Sequence, residues 1–180
     1  MSMPNISGKT KLCGLIGNPV EHSMSPAMHN AAFKEMGLDY LYFPFRVKKE
    51  DLGKAIEGMR ALGIRGLNVT IPHKVVVIEF LDELDGLAKK IGAVNTIVNN
   101  DGKLKGYNTD ASGFLQPLLE KGINPRDKSV VVLGAGGASR AISFVLADKG
   151  AHLVILNRRV AGAKELAGRI SETSGKEIEA

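Results

Sequence analysis

The 180-residue sequence predicts an α/β protein: one whole sheet-and-helix unit followed by an incomplete second one. Three observations lead there. Apolar runs of strand length alternate with segments whose apolar residues recur at helical spacing. Glycine is abundant, 21 residues, against a usual share of about 7%, and falls mostly at the junctions. From residue 129, a strand, a glycine-rich turn and a helix follow one another.

Residues 11–16 read as a buried strand. Ser25-Pro26 predicts a helix start, serine as N-cap and proline in the first turn, with the helix running to about Met36. The aromatic-rich residues 40–47 predict a strand. Residues 49–62 carry Leu52, Ile56, Met59 and Leu62 on one helical face, and Gly63 ends that helix. Residues 67–71 predict a strand stopped by Pro72. Helical stretches follow at 73–81 and 82–90. Residues 93–99 and 103–107 flank Asn100-Asp101-Gly102, a hairpin signal, which places one antiparallel pair at an edge of the sheet. Residues 109–121 predict a helix, and Gly122, Asn124 and Pro125 break the apolar period after it. Then come a strand at 129–133, the turn from Gly134, a helix to Lys149, a strand at 152–156 and a helix at 160–171. This gives a first domain at 1–108, a connecting helix and linker at 109–128, and a partial second domain at 129–180. Two parallel strands with two helices cannot cover both faces of an open sheet, so residues 129–180 alone predict marginal stability.

Hydrophobic residues make up 44% and charged residues 24% of the chain, which excludes a disordered or disulfide-stapled protein. No apolar run approaches the roughly 18 residues of a membrane span. The net charge is +5, but the basic residues are dispersed, aromatics are 5% and Trp is absent. That composition points away from nucleic acid and towards anionic small molecules. The lone Cys13 and an N-terminus without an apolar leader predict a reduced, cytoplasmic protein. A monomer or homodimer is expected, a choice the sequence leaves open. His22, His29, His73 and His152 have no metal-ligand spacing, so no metal is expected.

The turn after residue 133 explains part of the glycine excess. Gly134 permits a tight turn, and Gly136 lets the backbone approach a pyrophosphate at a helix N-terminus. The third position of the dinucleotide fingerprint is Ser139 rather than glycine. About 20 residues further on, an NAD site places a carboxylate for the ribose hydroxyls. Here the sequence is Asn157-Arg158-Arg159. Arginine grips a 2′-phosphate that a carboxylate would repel, so the cofactor is predicted to be NADP.

In the first half, polar residues gather where strands end: His22-Ser23-Met24-Ser25, Asn68-Val69-Thr70, Lys74, Asn95-Thr96 and Asn108-Thr109-Asp110. In open α/β sheets the carboxyl ends of strands line the ligand crevice. Taken singly, Ser25 is an N-cap, Lys74 a surface lysine, and Asp110 a cap of the following helix. Together with Ile71-Pro72-His73, Gly92-Ala93-Val94, Gly134-Ala135-Gly136-Gly137 and Asn157-Arg158, these segments resemble the shikimate dehydrogenase family in order and spacing. The resemblance spans nearly the whole chain. It implies a substrate domain followed by an incomplete Rossmann NADP-binding domain. The implied activity is NADPH-dependent, reversible reduction of 3-dehydroshikimate to shikimate, an oxidoreductase step of chorismate and aromatic amino-acid biosynthesis. The alternatives are a quinate/shikimate dehydrogenase using NAD and a non-catalytic ligand-binding paralogue.

By position, the resemblance implies that Ser23 and Ser25 hold the substrate carboxylate. Asn68, Thr70, Asn95 and Asp110 would bond the ring oxygens, and Lys74 and Asp110 form the catalytic pair. Gly134, Ala135, Gly136, Gly137 and Ala138 would line the pyrophosphate turn, with Asn157, Arg158 and Arg159 on the adenosine ribose and its phosphate. Whether Lys74 donates the proton or polarises the ketone oxygen is left open at this point. Three departures stand out. Ala111 replaces a usual glycine; Gly162 replaces a frequent second cation, for which Arg159 or Lys164 would substitute; and family members continue for roughly another hundred residues, about one further domain's worth.

Overall fold

The computed structural model describes residues 6–180. The first five residues of the stretch read above for a leader lie outside the described residues. The chain divides into two compact units. One holds the residues up to Leu84 together with Asn95–Gly106, the other Asp85–Val94 with Tyr107–Ala180.

The first unit is a mostly parallel sheet flanked by helices. Its strands are β1 (Lys11–Gly17), β2 (Tyr40–Arg46), β3 (Gly66–Val69), β4 (Glu83–Leu84), β5 (Thr96–Asn100) and β6 (Lys103–Tyr107), in the order β2-β1-β3-β5-β6-β4. β1 pairs in parallel with both β2 and β3, and β5 runs antiparallel to β3. The helices are α1 (Ser25–Glu35) and α2 (Leu52–Ala61). Leu52, Ile56 and Met59 are buried as their spacing predicts, but Leu62 is 77% exposed. Residues 49–51 form a 3-10 turn before α2, and Gly63 at φ 63° reverses the chain directly after Leu62, turning it off the apolar face.

Two further expectations change here. Residues 76–80 form a 3-10 turn instead of part of a long helix. Glu83–Leu84 pair in parallel with Lys105 and Gly106, so β4 and not the hairpin is the sheet edge. The cause is Asp82, whose carboxylate accepts from Leu104 N (2.6 Å) and from Arg60 (2.7 Å) and so holds its segment extended beside β6. The hairpin turn itself follows its sequence: Asp101 and Gly102 adopt φ of 52° and 91°, and the Asn99 side chain accepts from Gly102 N (2.7 Å).

The second unit contains α3 (Gly86–Ile91), α4 (Asp110–Glu120), β7 (Ser129–Leu133), α5 (Gly137–Asp148), β8 (His152–Leu156) and α6 (Val160–Ser174). β7 and β8 pair in parallel. Their core joins Val132, Leu153 and Ile155 to Leu146, Leu166 and Ile170, with Phe114 of α4 packed against it. Residues 129–180 therefore share their core with a preceding helix. Val131 and Leu133 of β7 remain 58% and 77% exposed, as a two-stranded sheet leaves them. Arg169 of α6 covers Gly92, the left-handed residue ending α3, and donates to Lys89 O (3.0 Å).

Candidate functional site

In the first unit the site follows from the strand register. Cys13 lies beside Tyr42, and Leu15 beside Asn68. Residues two apart on a strand share a face, so Tyr42, Cys13, Leu15 and Asn68 line one side of the sheet. Thr96 sits opposite Asn68 across the antiparallel pair. α1 covers this face. His29 stacks on the Tyr42 ring at 4.4 Å, and the Asn30 carboxamide bonds both Tyr42 N (2.8 Å) and Tyr42 O (3.0 Å). Asn30 thus occupies the open edge of β2 as a further strand would.

A row of hydrogen bonds crosses the carboxyl ends of the strands. Tyr42 Oη donates to Asn68 Oδ1 (2.7 Å). Asn68 Nδ2 donates to Thr96 Oγ1 (3.2 Å) and reaches Asn95 O (3.4 Å). Thr96 Oγ1 donates to Asn95 Oδ1 (3.1 Å). The Ser25 hydroxyl lies near enough to Tyr42 to oppose the rise of its phenol pKa, and Ser25 N donates to Ser23 Oγ (3.2 Å). Ser23, Ser25, Asn68 and Asn95 are therefore brought together. Ser25 is not the N-cap of α1: that position is Met24, and Ser25 is the first helical residue. No side-chain hydrogen bond caps the helix start. Thr70 is held at the end of β3 by its N–H to Ile16 O (2.9 Å), with its methyl against Gly17, where any side chain would collide with it.

Lys74 stands in the turn after Pro72 and is half-buried. Its backbone is set by His73, which is fully buried, with Nε2 2.8 Å from Val47 O. The His73 N–H bonds Thr70 O, and Val77 N bonds His73 O, both at 2.9 Å. Burial pushes the Tyr42 phenol up to about 12, with the Ser25 hydroxyl opposing the shift. The unfolded chain ionises this phenol near its ordinary value of 10.0. Stability from Tyr42 is therefore full below that value and lost as pH rises from about 10 to about 12. Denaturant melts across that range are expected to show the loss in the wild type and a smaller one in Tyr42→Phe.

In the second unit Asp110 opens α4. It is the first helical residue and not its cap. The Asn108 Oδ1 takes the N–H groups of Asp110 (3.0 Å) and Ala111 (3.4 Å), while Asn108 Nδ2 donates to Ala93 O (2.9 Å). Ala111 is buried in the first turn of α4, where helical backbone needs no glycine. Asn108→Ala removes this cap and leaves buried groups unpaired. It is expected to destabilise the protein by about 1–3 kcal/mol in denaturant unfolding.

The glycine turn joins β7 to α5. Gly134 has φ 105°, a conformation that side chains strain, and its N–H bonds Leu156 O (2.7 Å). Gly136 is the N-cap of α5, and a β-carbon there would meet nothing within 4 Å. Gly137 and Ala138 form the first turn of α5. Open space at the start of a 12-residue helix fits a pyrophosphate. Asn157 lies over Gly162, its Nδ2 bonding Arg159 O (2.9 Å), and a β-carbon at Gly162 would be 2.9 Å from Nδ2 and 3.8 Å from the Ala135 methyl. Arg158 and Arg159 are exposed at the start of α6, whose first turn holds no acidic residue. Two cations beside a positive helix end, without a carboxylate, fit an anionic ligand group.

Sequence reasoning missed Tyr42, Asn30 and the capping role of Asn108. The Asn108 signal was available as an Asn two residues before an acidic helix start. Tyr42 carried none, being one aromatic among several in an apolar strand. Among the described residues no cluster of His, Cys, Asp or Glu can hold a metal, and no helix is long and apolar enough to cross a membrane.

Residues 15–97 match the shikimate dehydrogenase substrate binding domain. The chain is 52% identical, over 173 residues, to the shikimate dehydrogenase (NADP(+)) of Methanothermobacter thermautotrophicus, covering 96% of this chain and 61% of that protein. A crystal structure of shikimate dehydrogenase in complex with NADP+ is 52% identical and superposes with a TM-score of 0.89, over 96% of this chain and 60% of that one. Shikimate 5-dehydrogenase from Listeria monocytogenes, in complex with shikimate and NAD, is 39% identical with a TM-score of 0.88, over 99% and 63%. The chain thus spans about three-fifths of the length of these proteins.

Proposed function

We propose that this chain belongs to the shikimate dehydrogenase family, whose substrate binding domain residues 15–97 match, and that its activity is NADPH-dependent, reversible reduction of 3-dehydroshikimate to shikimate. The observation that carries this reading is the hydrogen-bonded row from Tyr42 to Asn95 beside Ser23 and Ser25. Hydroxyl and carboxamide groups at strand ends suit a small carboxylate bearing several ring oxygens. Such groups reject a ligand that leaves them unpaired.

Ser23 and Ser25 take the carboxylate, and Asn68, Thr70, Asn95 and Asp110 the ring oxygens. In the reduction direction, negative charge grows on the ketone oxygen, and the Lys74 ammonium stabilises it. The Lys74 and Asp110 pair gives that oxygen its proton in the reduction direction and receives the hydroxyl proton in the oxidation direction. NADPH, when bound, supplies the hydride. Residues 134–138 hold its pyrophosphate, Asn157 its ribose, and Arg158 and Arg159 the 2′-phosphate. The division of labour is substrate binding at 1–108, a connecting segment at 109–128 that also supplies Asp110, and cofactor binding at 129–180.

Shikimate-dependent reduction of NADP+ tests the proposal. Turnover with NADP+ in preference to NAD+ is the expected result. A preference for NAD+ would favour the quinate/shikimate alternative. Shikimate binding without reduction of either cofactor would favour a non-catalytic ligand-binding protein.

A further inference from the structure

We infer that Tyr42 is a positioning residue of the substrate site: its hydroxyl, donating to Asn68 Oδ1, locks in place the Asn68 carboxamide whose orientation the Asn95 carbonyl dictates and, through Asn68 and Thr96, steadies the Asn95 side chain. The functional half of this inference rests on the shikimate reading above.

The polarity of the row can be worked out from its one fixed member. Asn95 O is a backbone carbonyl and only accepts, so the end of Asn68 that faces it at 3.4 Å is Nδ2. Oδ1 then faces Tyr42, whose hydroxyl must donate, and does so at 2.7 Å. Thr96 Oγ1 accepts from Asn68 Nδ2 and gives its own proton to Asn95 Oδ1. Donation therefore runs one way, Tyr42 to Asn68 to Thr96 to Asn95. Asn95 is held with its oxygen towards Thr96 and Nδ2 turned the opposite way. A phenol of ordinary pKa 10.0 carries its proton throughout the neutral range, and burial only extends that range upwards, so the first donor of the row is present.

The hydroxyl is separable from what Tyr42 does for the fold. The ring packs with Leu15 and Val20 and stacks on His29, and the backbone is anchored by Asn30. Tyr42→Phe keeps all of these and removes only the hydroxyl with its bond to Asn68. A residue needed solely for packing would leave the carboxamides and the ligand affinity unmoved in that variant.

The test uses the 15N-labelled protein. Side-chain amide signals of Asn68 and Asn95 are compared in the wild type, Tyr42→Phe and Thr96→Val, and shikimate affinity is measured by calorimetry in these and in Asn68→Ala. Both signal pairs are expected to shift in Tyr42→Phe, and Asn95 in Thr96→Val, which enters the row from its other end. Shikimate affinity should fall about tenfold in Tyr42→Phe but by less than twofold when the change is made in the Asn68→Ala background. An unmoved Asn95 signal in both variants, or equal losses in the two backgrounds, would overturn the inference. Shifted signals in a protein that binds no shikimate would uphold the positioning row and overturn the substrate reading instead.

Discussion

Lys74→Ala is expected to slow shikimate-dependent NADP+ reduction by about 10²–10⁴-fold, the range of a lost general acid–base or charge-stabilising group. Shikimate affinity should change only a few-fold. The asymmetry follows from how the residue is mounted. Its turn is fixed by backbone groups and by the buried His73, bonded to Val47 O and through its N–H to Thr70 O. Removing the Lys74 side chain takes none of these away, so Thr70 and the end of β3 keep their places. The carboxylate and ring-oxygen contacts proposed for Ser23, Ser25, Asn68 and Asn95 do not include Lys74. Steady-state kinetics and calorimetry separate the two effects. Equal losses of rate and affinity would make Lys74 a binding residue rather than a catalytic one.

The second large effect concerns cofactor choice. Arg158→Ala is expected to lower the preference for NADP+ over NAD+ by about 10–100-fold, the worth of one charge-assisted bond to a phosphate. Replacing Arg159 as well should remove most of the preference. The cations stand at the end of β8 and the start of α6, with no carboxylate in the first helical turn to pair with them. The Asn157 amide lies where a side chain at position 162 would be, so under the proposed function the 2′-phosphate would fall to the two arginines. Comparing kcat/KM for both cofactors in each variant checks this. An equal fall for NADP+ and NAD+ would place Arg158 on a part common to both cofactors, not on the 2′-phosphate.

Much of this architecture was legible because local chemistry and tertiary structure agree. The strand at 11–16, the glycine turn at Gly134 and the hairpin turn at Asp101-Gly102 each rest on residues whose backbone preferences match the fold. Legibility failed where a distant partner overrode the local pattern. Residues 82–84 are extended because Asp82 bonds Leu104 N and Arg60. Leu62 fits a helical stripe, yet the left-handed Gly63 turns the chain away before it packs. The site divides in the same way. Strand-end position together with the family resemblance points to Ser23, Ser25, Asn68 and Asn95, which the structure brings together. Tyr42 stayed hidden because its role depends on the register of three strands, which no short window of sequence contains. Ser before Pro has the pattern of a helix cap, yet the helix begins at Ser25 itself, with Met24 in the cap position.

The central claim is that the strand ends of the first unit form a shikimate site. Titrating shikimate into the 15N-labelled chain and following its amide spectrum tests that claim most directly. The account predicts saturable shifts concentrated at Ser23, Ser25, Asn68, Thr70, Lys74 and Asn95. A titration that leaves those signals in place, or moves only signals elsewhere in the chain, would contradict it.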